Sequence, residues 1–308
     1  METSASFGNP LVLLNPTANR GKMEQYRTLV RQRIQQEPSA EYVETTRRGE
    51  AEERARNAAS EGSAVIVVGG DGSLHEVANG ILASGKRVPL GIIAAGSGND
   101  YAWNTLHLPR DPAAAVARAF DGQLVESDAG MVNERYFVNS FSVGLDADIA
   151  VAASHLKKYP LMSGERLYYG STLRQLLFGY HRCPWLQFCL DEGTSDAQGN
   201  DASRHYVLMA VTNGPTYGAG FRINPTASYT DGYFDVCTIT YTPLLRALRL
   251  LPLVQKGEHA SLPEVTFYRA RTVHIESRNV VNIQMDGETM NATTFDAHIL
   301  PDALLVRV

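Results

Sequence analysis

The chain has 308 residues, of which 44% are hydrophobic and 20% are charged; this length favours two domains, and this composition excludes intrinsic disorder. Its net charge of -5 argues against a protein that grips nucleic acid over a broad surface. Three cysteines, with no pair in CxxC spacing, disfavour a disulfide framework and a cysteine-ligated zinc site: they are Cys183, Cys189 and Cys237.

No segment has the pattern of an export signal or of a membrane-spanning helix. The first ten residues lack a basic start followed by a long apolar run. The longest apolar stretch of the C-terminal half, Leu244–Val254, contains Arg246 and Arg249 and is too short to cross a bilayer. We therefore expect a cytoplasmic protein, with peripheral contact to the inner face of the membrane left open.

The first 130 residues alternate between short apolar strands and helical segments. In chain order they are strand Leu11–Leu14, helix Met23–Gln36, strand Tyr42–Val43, helix Glu50–Glu61, strand Ala64–Val68, a helix capped by Ser73, strand Leu90–Ile93 and helix Pro112–Phe120. Continuous apolar strands separated by helices indicate a parallel sheet that is covered on both faces.

The remainder of the chain has a different pattern of predicted secondary structure. One helix is expected over Leu161–Tyr180, and the polar stretch Asp191–Ser203 has the composition of a surface loop. Short strands separated by turn residues predict a mainly antiparallel β domain. These strands are Gln187–Leu190, Tyr206–Thr212, Phe234–Thr240, Thr272–Glu276, Val280–Met285 and Ala297–Leu300.

A glycine-rich loop follows the strongest predicted strand. Val65–Val68 runs into Gly69-Gly70-Asp71-Gly72-Ser73, and a helix comes next. Glycines let the backbone approach a ligand closely, and the unpaired N–H groups that begin a helix attract an anion. Asp71 would repel phosphate by itself and needs a bridging Mg²⁺ or a hydroxyl donor. The plain alternative is a strand-to-helix turn in which the glycines serve geometry only.

Three better-known motifs, two for phosphate binding and one for zinc, are only partly present in the sequence. Gly21-Lys22 lacks the earlier glycine and the following Ser or Thr of a P-loop. Gly96-Ser97-Gly98 lacks the third glycine of a dinucleotide fingerprint. His75-Glu76 begins like a zinc-protease helix, but Asn79 stands where the second histidine belongs.

Polar residues also follow the other predicted strands. Asn15-Pro16-Thr17 follows the first strand, Thr45 follows the second, and Gly96–Asp100 follows the fourth. Ligands of an open parallel sheet bind at the carboxyl ends of the strands. Four loops are therefore expected at one crevice, which favours a ligand site over a bare turn.

With these motifs in order, the chain resembles the diacylglycerol-kinase-like lipid kinases, a bacterial group that is also similar to sphingosine and ceramide kinases. The resemblance spans nearly the whole chain. Its motifs are Asn15-Pro16, Gly69-Gly70-Asp71-Gly72-Ser73 with Glu76, Gly96-Ser97-Gly98-Asn99-Asp100, Asp231-Gly232 with Phe234-Asp235, and Asp286-Gly287-Glu288.

The resemblance implies two domains with the active site in the cleft between them. Residues 1–130 would form a doubly wound α/β domain with a parallel sheet that binds ATP, and residues 131–295 an all-β, antiparallel β-sandwich domain for the lipid substrate. The segment 296–308 would return to the first domain. Ala95 and Ser97 depart from the proline and threonine that many relatives carry, and the serine keeps the hydroxyl.

The resemblance also implies the site residues. Glu288, with Asp286 beside it, would activate the lipid hydroxyl. A structural Mg²⁺ would lie at Asp231, with backbone oxygens of Ser228 and Tyr233. ATP contacts would come from Asn15, Pro16, Thr17, Ala18, Asn19, Thr45, Gly70, Asp71, Gly72, Ser73, Leu74, His75, Glu76 and Ser97. The carboxylate of Asp100, judged by its residue type, is a further candidate partner of the Mg²⁺ that accompanies ATP.

Three functions stay open on these residues. The first is an ATP- and Mg²⁺-dependent kinase for diacylglycerol or a similar lipid. The second is an NAD kinase or another soluble-alcohol kinase, which shares the Gly-Gly-Asp-Gly loop. The third is a nucleotide-binding regulator without catalysis.

Contact with a membrane and with a second copy is less defined by the sequence. His155–Met162 and Leu244–Lys256 combine apolar and basic residues, so either can lie on a bilayer or pack as an amphipathic helix on the β domain. Whether the chain is a monomer or a homodimer is left open. No nucleic-acid partner is expected.

Overall fold

The computed structural model describes residues 8–156, 170, 172, 174–176, 178–192, 198–218 and 220–308. The chain divides into two compact units, residues 1–128 with 302–308 and residues 129–301. It leaves the first unit within strand β5 (Leu124–Val132) and returns within the last strand, β13 (Glu288–Arg307).

The first unit contains a parallel sheet with the strand order β2-β1-β3-β4. The last residues of β13 join this sheet beside β4, where Val306 pairs with Leu90 in parallel register. Its other elements are β1 (Gly8–Leu14), α1 (Glu24–Ile34), β2 (Glu41–Glu44), α2 (Glu50–Ser60), β3 (Ser63–Gly69), α3 (Asp71–Ala83), β4 (Pro89–Ala94) and α4 (Pro112–Asp121).

Helices cover both faces of this sheet because alternate strand residues point to opposite sides. Val12 and Val68 belong to one apolar core with residues of α1 and α4. Helices α2 and α3 pack against each other and against β3. A Cβ on Gly80 would lie 2.3 Å from the carbonyl oxygen of Glu52, so glycine permits this close helix contact.

The second unit is an antiparallel β-sandwich built on two long strands, β9 and β12. Strand β8 pairs with one half of each, and β7 pairs with the other half of each. The core contains Phe141, Phe188, Phe234 and Phe295. The elements are β6 (Arg135–Phe137), β7 (Ser140–Gly144), α5 (Leu145–Leu156), β8 (Trp185–Leu190), β9 (Gln198–Thr212), β10 (Phe234–Thr240), α6 (Leu244–Lys256), β11 (Val265–Ala270) and β12 (Thr272–Met285).

The predicted fold class is confirmed, and several local expectations are corrected. Ser73 does not cap α3, because Gly70 is the N-cap and Ser73 lies inside the first turn. Thr272–Glu276 and Val280–Met285 form one strand with an irregular register between Glu276 and Val281. Asp191–Ser203 is not wholly a loop, because β9 begins at Gln198.

Other differences concern elements that were missed or that fall outside the described residues. Strands β5, β6, β7 and β11 and helix α5 were not predicted. Of the expected helix Leu161–Tyr180, residues 170, 172, 174–176 and 178 are helical, and most of the rest lies outside the described residues. So does most of the proposed membrane segment His155–Met162. None of the described helices is long and apolar enough to cross a membrane.

Candidate functional site

The loop between β3 and α3 forms the start of a helix whose amides are available to a ligand. Gly70 is the N-cap, with an extended backbone, and α3 begins at Asp71. A Cβ on Gly69 would lie 2.6 Å from Oγ of Ser73, so this turn needs glycine at position 69. The first N–H groups of α3 and the helix dipole make the loop suitable for an anion such as phosphate.

Asn15 attaches the loop after β1 to the same helix. Its Nδ2 donates to Oγ of Ser73 at 2.9 Å. Its Oδ1 accepts from the backbone N and from Oγ1 of Thr17, at 3.0 and 2.8 Å. The backbone N of Asn15 also donates to the carbonyl of Val68 at the end of β3. One asparagine thus orders two of the four predicted loops.

A second glycine-bearing loop, after β4, packs directly on the first. A Cβ on Gly96 would lie 2.6 Å from Cα of Gly70, a distance that no side chain permits. Oδ2 of Asp71 accepts a hydrogen bond from the backbone N of Asn99 at 2.8 Å. A Cβ on Gly98 would lie 2.7 Å from that same oxygen. The two loops therefore interlock, and the hydrogen bond that Asp71 accepts is one of the contacts that join them.

Asn99 is a site residue that the sequence reasoning left out. It is buried and has a φ of 56°, in the left-handed region. Its Oδ1 accepts from the backbone N of Gly96, and its Nδ2 donates to the Gly96 carbonyl at 2.7 Å. Asparagine is among the few non-glycine residues that tolerate this backbone. An asparagine directly after Gly-Ser-Gly was the available signal.

Three further predicted ATP contacts, Leu74, His75 and Glu76, lie on helix α3. The side chains of Leu74 and His75 are buried, so only their backbone can face a ligand at the loop. Oε1 of Glu76 accepts from the backbone N of Gly49, the N-cap of α2, at 2.9 Å. This bond assigns Glu76 to positioning α2 against α3.

Six further predicted residues lie around the loops. The backbone N of Thr45 donates to the Leu14 carbonyl at 2.9 Å, which brings the loop after β2 to the end of β1. Ser97 is exposed at the second loop. Asp100 is buried and accepts from Nδ2 of Asn104 at 2.8 Å. Ala18 and Asn19 begin the 3-10 turn Ala18–Gly21, and Pro16 precedes it.

One group of polar residues thus lies at the carboxyl ends of four neighbouring parallel strands. It contains hydroxyls and amides as donors, together with the carboxylates of Asp71 and Asp100. Donors at a helix N-terminus suit a phosphate chain, and carboxylate oxygens suit a magnesium ion bound to it. The arrangement can therefore hold a nucleotide triphosphate with its metal.

In the second unit, Asp286 and Gly287 form the two-residue turn between β12 and β13. Both have positive φ, 47° and 88°, and Met285 pairs with Glu288 across the turn. Oδ2 of Asp286 accepts from the backbone N of Val138 at 2.7 Å. Its Oδ1 accepts from the backbone N of Asn139 and of Ser140, at 3.1 and 3.0 Å.

These three bonds separate the roles of the two predicted catalytic carboxylates. Asp286 accepts three hydrogen bonds from the chain entering β7, so both of its carboxylate oxygens are engaged in holding this turn. Glu288, the first residue of β13, has a partly exposed side chain. Of the two, Glu288 is better placed to act as a base, and Asp286 is better suited to position the turn.

The predicted metal site at Asp231 is engaged by protein groups. Oδ1 of Asp231 accepts from the backbone N of Tyr233 at 3.2 Å, and Oδ2 pairs with Nη2 of Arg269 at 2.5 Å. Burial raises the pKa of the neighbouring Asp235 to about 6, with Arg269 opposing the rise and Asp231 adding to it. The oxygens do not fit a divalent cation as they stand, because a guanidinium holds the carboxylate oxygen that the ion would need.

The second unit also contains an apolar cavity of about 90 Å³ beneath α6. Asp146 lies in its wall, and its carboxylate accepts from Oγ of Ser142. Burial raises the pKa of Asp146 to about 6, although hydrogen bonds from Ser142 and Tyr217 act against the rise. The cavity is otherwise mostly aliphatic, with Leu145, Ile149, Leu176, Ile223, Leu250 and Leu251 among its lining residues.

Family models match both units. The model of the diacylglycerol kinase catalytic domain matches residues 9–132. The model of the YegS C-terminal NAD kinase beta sandwich-like domain matches residues 139–308. A diacylglycerol kinase of Staphylococcus carnosus is 32% identical over 225 residues, covering 73% of this chain and 69% of that protein. One of Mycobacterium tuberculosis is 32% identical over 250 residues, covering 79% and 76%.

Solved structures share the fold at lower identity. The crystal structure of a diacylglycerol kinase from Bacillus anthracis superposes with a TM-score of 0.73 and 18% identity, covering 99% of this chain and 98% of that one. A further structure from the same organism superposes with a TM-score of 0.80 and 21% identity, with the same coverage of both chains.

Proposed function

The chain belongs to the kinase family that the diacylglycerol kinase catalytic domain defines, and on this premise we propose an ATP- and Mg²⁺-dependent lipid kinase that phosphorylates the hydroxyl of diacylglycerol or a similar lipid. The observation that carries the nucleotide part is the interlock of the two glycine-bearing loops at the start of α3. A bare turn would not need glycine at 70, 96 and 98 together.

The amides of Gly70, Asp71 and Gly72 bind the phosphate chain in this proposal, and Ser73 and Asn15 hold the loop in shape. Phosphoryl transfer depends mainly on positioning and on neutralising charge. Mg²⁺, when bound, offsets the charge of the triphosphate, and Asp71 and Asp100 are the carboxylates that would hold it. No step is assigned to a structural metal at Asp231.

Glu288 accepts the proton of the attacking hydroxyl, because a lipid alcohol is a poor nucleophile until that proton leaves. Asp286 holds the turn that carries Glu288 by its bonds to three backbone amides. The 1–128 unit with 302–308 is the ATP-binding part of the proposal, and the 129–301 unit is the acceptor part.

The test is transfer of label from γ-labelled ATP with Mg²⁺ to a lipid extract in mixed micelles. Wild type is compared with Asp71→Asn and Glu288→Gln, and exposed Glu134→Gln serves as the matched carboxylate control. We expect label in a chloroform-soluble product, lost in the first two variants and kept in the control. Label in NAD instead would favour the soluble-alcohol kinase, and nucleotide binding without turnover would favour the regulator.

A further inference from the structure

Four exposed hydrophobic side chains of the second unit gather at one surface. Among the described residues, seven large hydrophobic side chains are exposed, and Phe178, Trp185, Tyr241 and Leu245 belong to this group at 71%, 45%, 37% and 74% exposure. Single exposed apolar residues are ordinary, whereas a contiguous apolar patch marks an interaction surface. Ring contacts join Trp185 to Tyr241 through His205, and Phe178 and Leu245 lie within four residues of rings in the same row.

An aromatic row links three parts of the chain. Trp185 stacks on His205 with ring centroids 5.1 Å apart, and His205 stacks on Tyr241 at 3.8 Å. Tyr241 stacks on Tyr180 at 5.0 Å. The guanidinium of Arg278 lies 5.1 Å from the Trp185 ring centroid, at the end of this row. The aromatic row is therefore a continuous strip of rings that ends in a cation.

The hydroxyl of Tyr180 fastens the row to the start of α6. It donates to the Thr242 carbonyl at 2.7 Å, and Tyr180 is buried. Leu244 and Leu248 of α6 pack on the cluster that contains Tyr180 and Leu176. Leu245 projects away from that packed face, and Phe178 is two residues before Tyr180. Leu245 thus belongs to a helix whose opposite face is packed, and Phe178 is close in sequence to the hydrogen-bonded Tyr180.

The same surface is basic, although the whole chain has a net charge of -5. The described residues of the three segments that contribute to it, within 174–186, 204–206 and 241–256, include no Asp or Glu. They contain six exposed cations, of which Arg246 is paired with Glu264: Arg174, Arg182, Arg204, Arg246, Arg249 and Lys256. An excess of cations around exposed apolar and aromatic side chains matches an anionic lipid surface.

A second copy of this chain fits the surface less well. In a symmetric dimer the same patch meets itself, so these cations would oppose one another. Trp and Tyr beside Arg, with protruding Leu and Phe, are typical of the boundary between water and lipid. The occupant that meets both the charge and the apolar residues is therefore a bilayer.

We propose that this surface, the docking face, rests on an anionic lipid bilayer. Phe178 and Leu245 enter the acyl region, the aromatic row lies at the level of the head groups, and the surrounding arginines contact the phosphates. The inference rests on the proposed function, because a kinase whose acceptor is dissolved in a membrane must reach that membrane. It assigns the contact to particular residues of the second unit.

The chain has two tryptophans, Trp103 and Trp185, which allows a direct test. In a Trp103→Phe background, Trp185 fluorescence is followed with vesicles of phosphatidylcholine that contain brominated acyl chains and 30% phosphatidylglycerol. We expect quenching of about half of the signal or more, and none without phosphatidylglycerol. The converse Trp185→Phe variant should show no quenching of Trp103, whose indole nitrogen is buried in the first unit.

Vesicle sedimentation with the Phe178→Ser, Leu245→Ser double variant should show about tenfold or greater loss of binding, because two apolar side chains leave the bilayer. Leu124→Ser removes an exposed leucine of the first unit and should bind like wild type. Unquenched Trp185, or equal loss in the Leu124 control, overturns the docking face. Activity on a short-chain, monomeric acceptor reports the proposed function separately and should persist in the double variant.

Discussion

The Asp71 carboxylate and the Asn99 backbone N–H, 28 residues apart in sequence, are joined by a hydrogen bond of 2.8 Å that connects the two glycine-bearing loops. The sequence alone indicated Asp71 only as a ligand for a metal or a hydroxyl. The bond gives the same carboxylate a second task, since the loop after β4 is held in place through it. Substitutions at position 71 can therefore distinguish the effect of the negative charge from the effect of the hydrogen bond that holds the loop.

Asp71→Asn should reduce kinase activity at least 100-fold while leaving the melting temperature within about 2 °C of wild type. The amide oxygen of asparagine can still accept from Asn99 N, whereas the negative charge is lost. Asp71→Ala should lose activity and also about 1–3 kcal/mol of stability, because a buried N–H loses its acceptor. Thermal unfolding alongside the activity assay checks both, and equal destabilisation by Asn and Ala would contradict the assigned hydrogen bond.

Gly96→Ala should raise the KM for ATP about tenfold or more. The new Cβ would lie 2.6 Å from Cα of Gly70, so one of the two loops has to move. Gly85→Ala is the matched control, because Gly85 has a φ of 67° with open space around it. That control should cost about 1 kcal/mol of stability through backbone strain and leave KM unchanged. A similar KM change in both variants would count against the interlock.

Asp286→Ala should destabilise the protein by about 3 kcal/mol, because three backbone amides of residues 138–140 lose a charged acceptor. Glu288→Gln should abolish turnover with the unfolding midpoint in urea kept. Urea unfolding and a kcat measurement on the two variants separate a positioning residue from a base. Retained stability in Asp286→Ala would show that the turn does not depend on these bonds.

Arg269→Leu should make the second unit responsive to Mg²⁺. Without the guanidinium, Asp231 and the buried Asp235 lose the cation that interacts with both of them. Millimolar Mg²⁺ is then expected to raise the melting temperature of the variant by several degrees and that of wild type by much less, by mass action on a folded-state site. Differential scanning calorimetry with and without EDTA checks this, and Arg271→Leu is the neighbouring control.

Asp146 should make stability depend on pH in an unusual direction. Burial raises the pKa of the Asp146 carboxyl from its ordinary value of 3.8 to about 6, so the folded state binds the proton more tightly. This contribution is present below pH 4 and is lost as the pH rises through 6. Relative to Asp146→Asn, wild type should lose up to about 3 kcal/mol between pH 4 and pH 7. Urea unfolding at several pH values measures the difference, and a flat difference would contradict the buried charge.

The parallel sheet and its glycine loop followed from the sequence because their signals are local. An apolar run such as Val65–Val68 forms a buried strand wherever helices flank it, and a following Gly-Gly-Asp-Gly favours a tight turn into a helix. Each boundary of these elements lies within a few residues of its predicted place. Asn15, Thr45 and Ser97 were likewise predicted as site residues from local sequence, because they come within three residues of strand ends.

The tertiary structure alone decided what depends on distant partners. Strand β7, Ser140–Gly144, was not predicted, and the structure buries it along its whole length, its two serines included. The three acceptor bonds of Asp286 reach residues 146 to 148 positions away, and the pairing of Asp231 with Arg269 spans 38. The spacing of residues in the sequence does not indicate such contacts, because folding brings these groups together only through strand pairings that are remote in the chain.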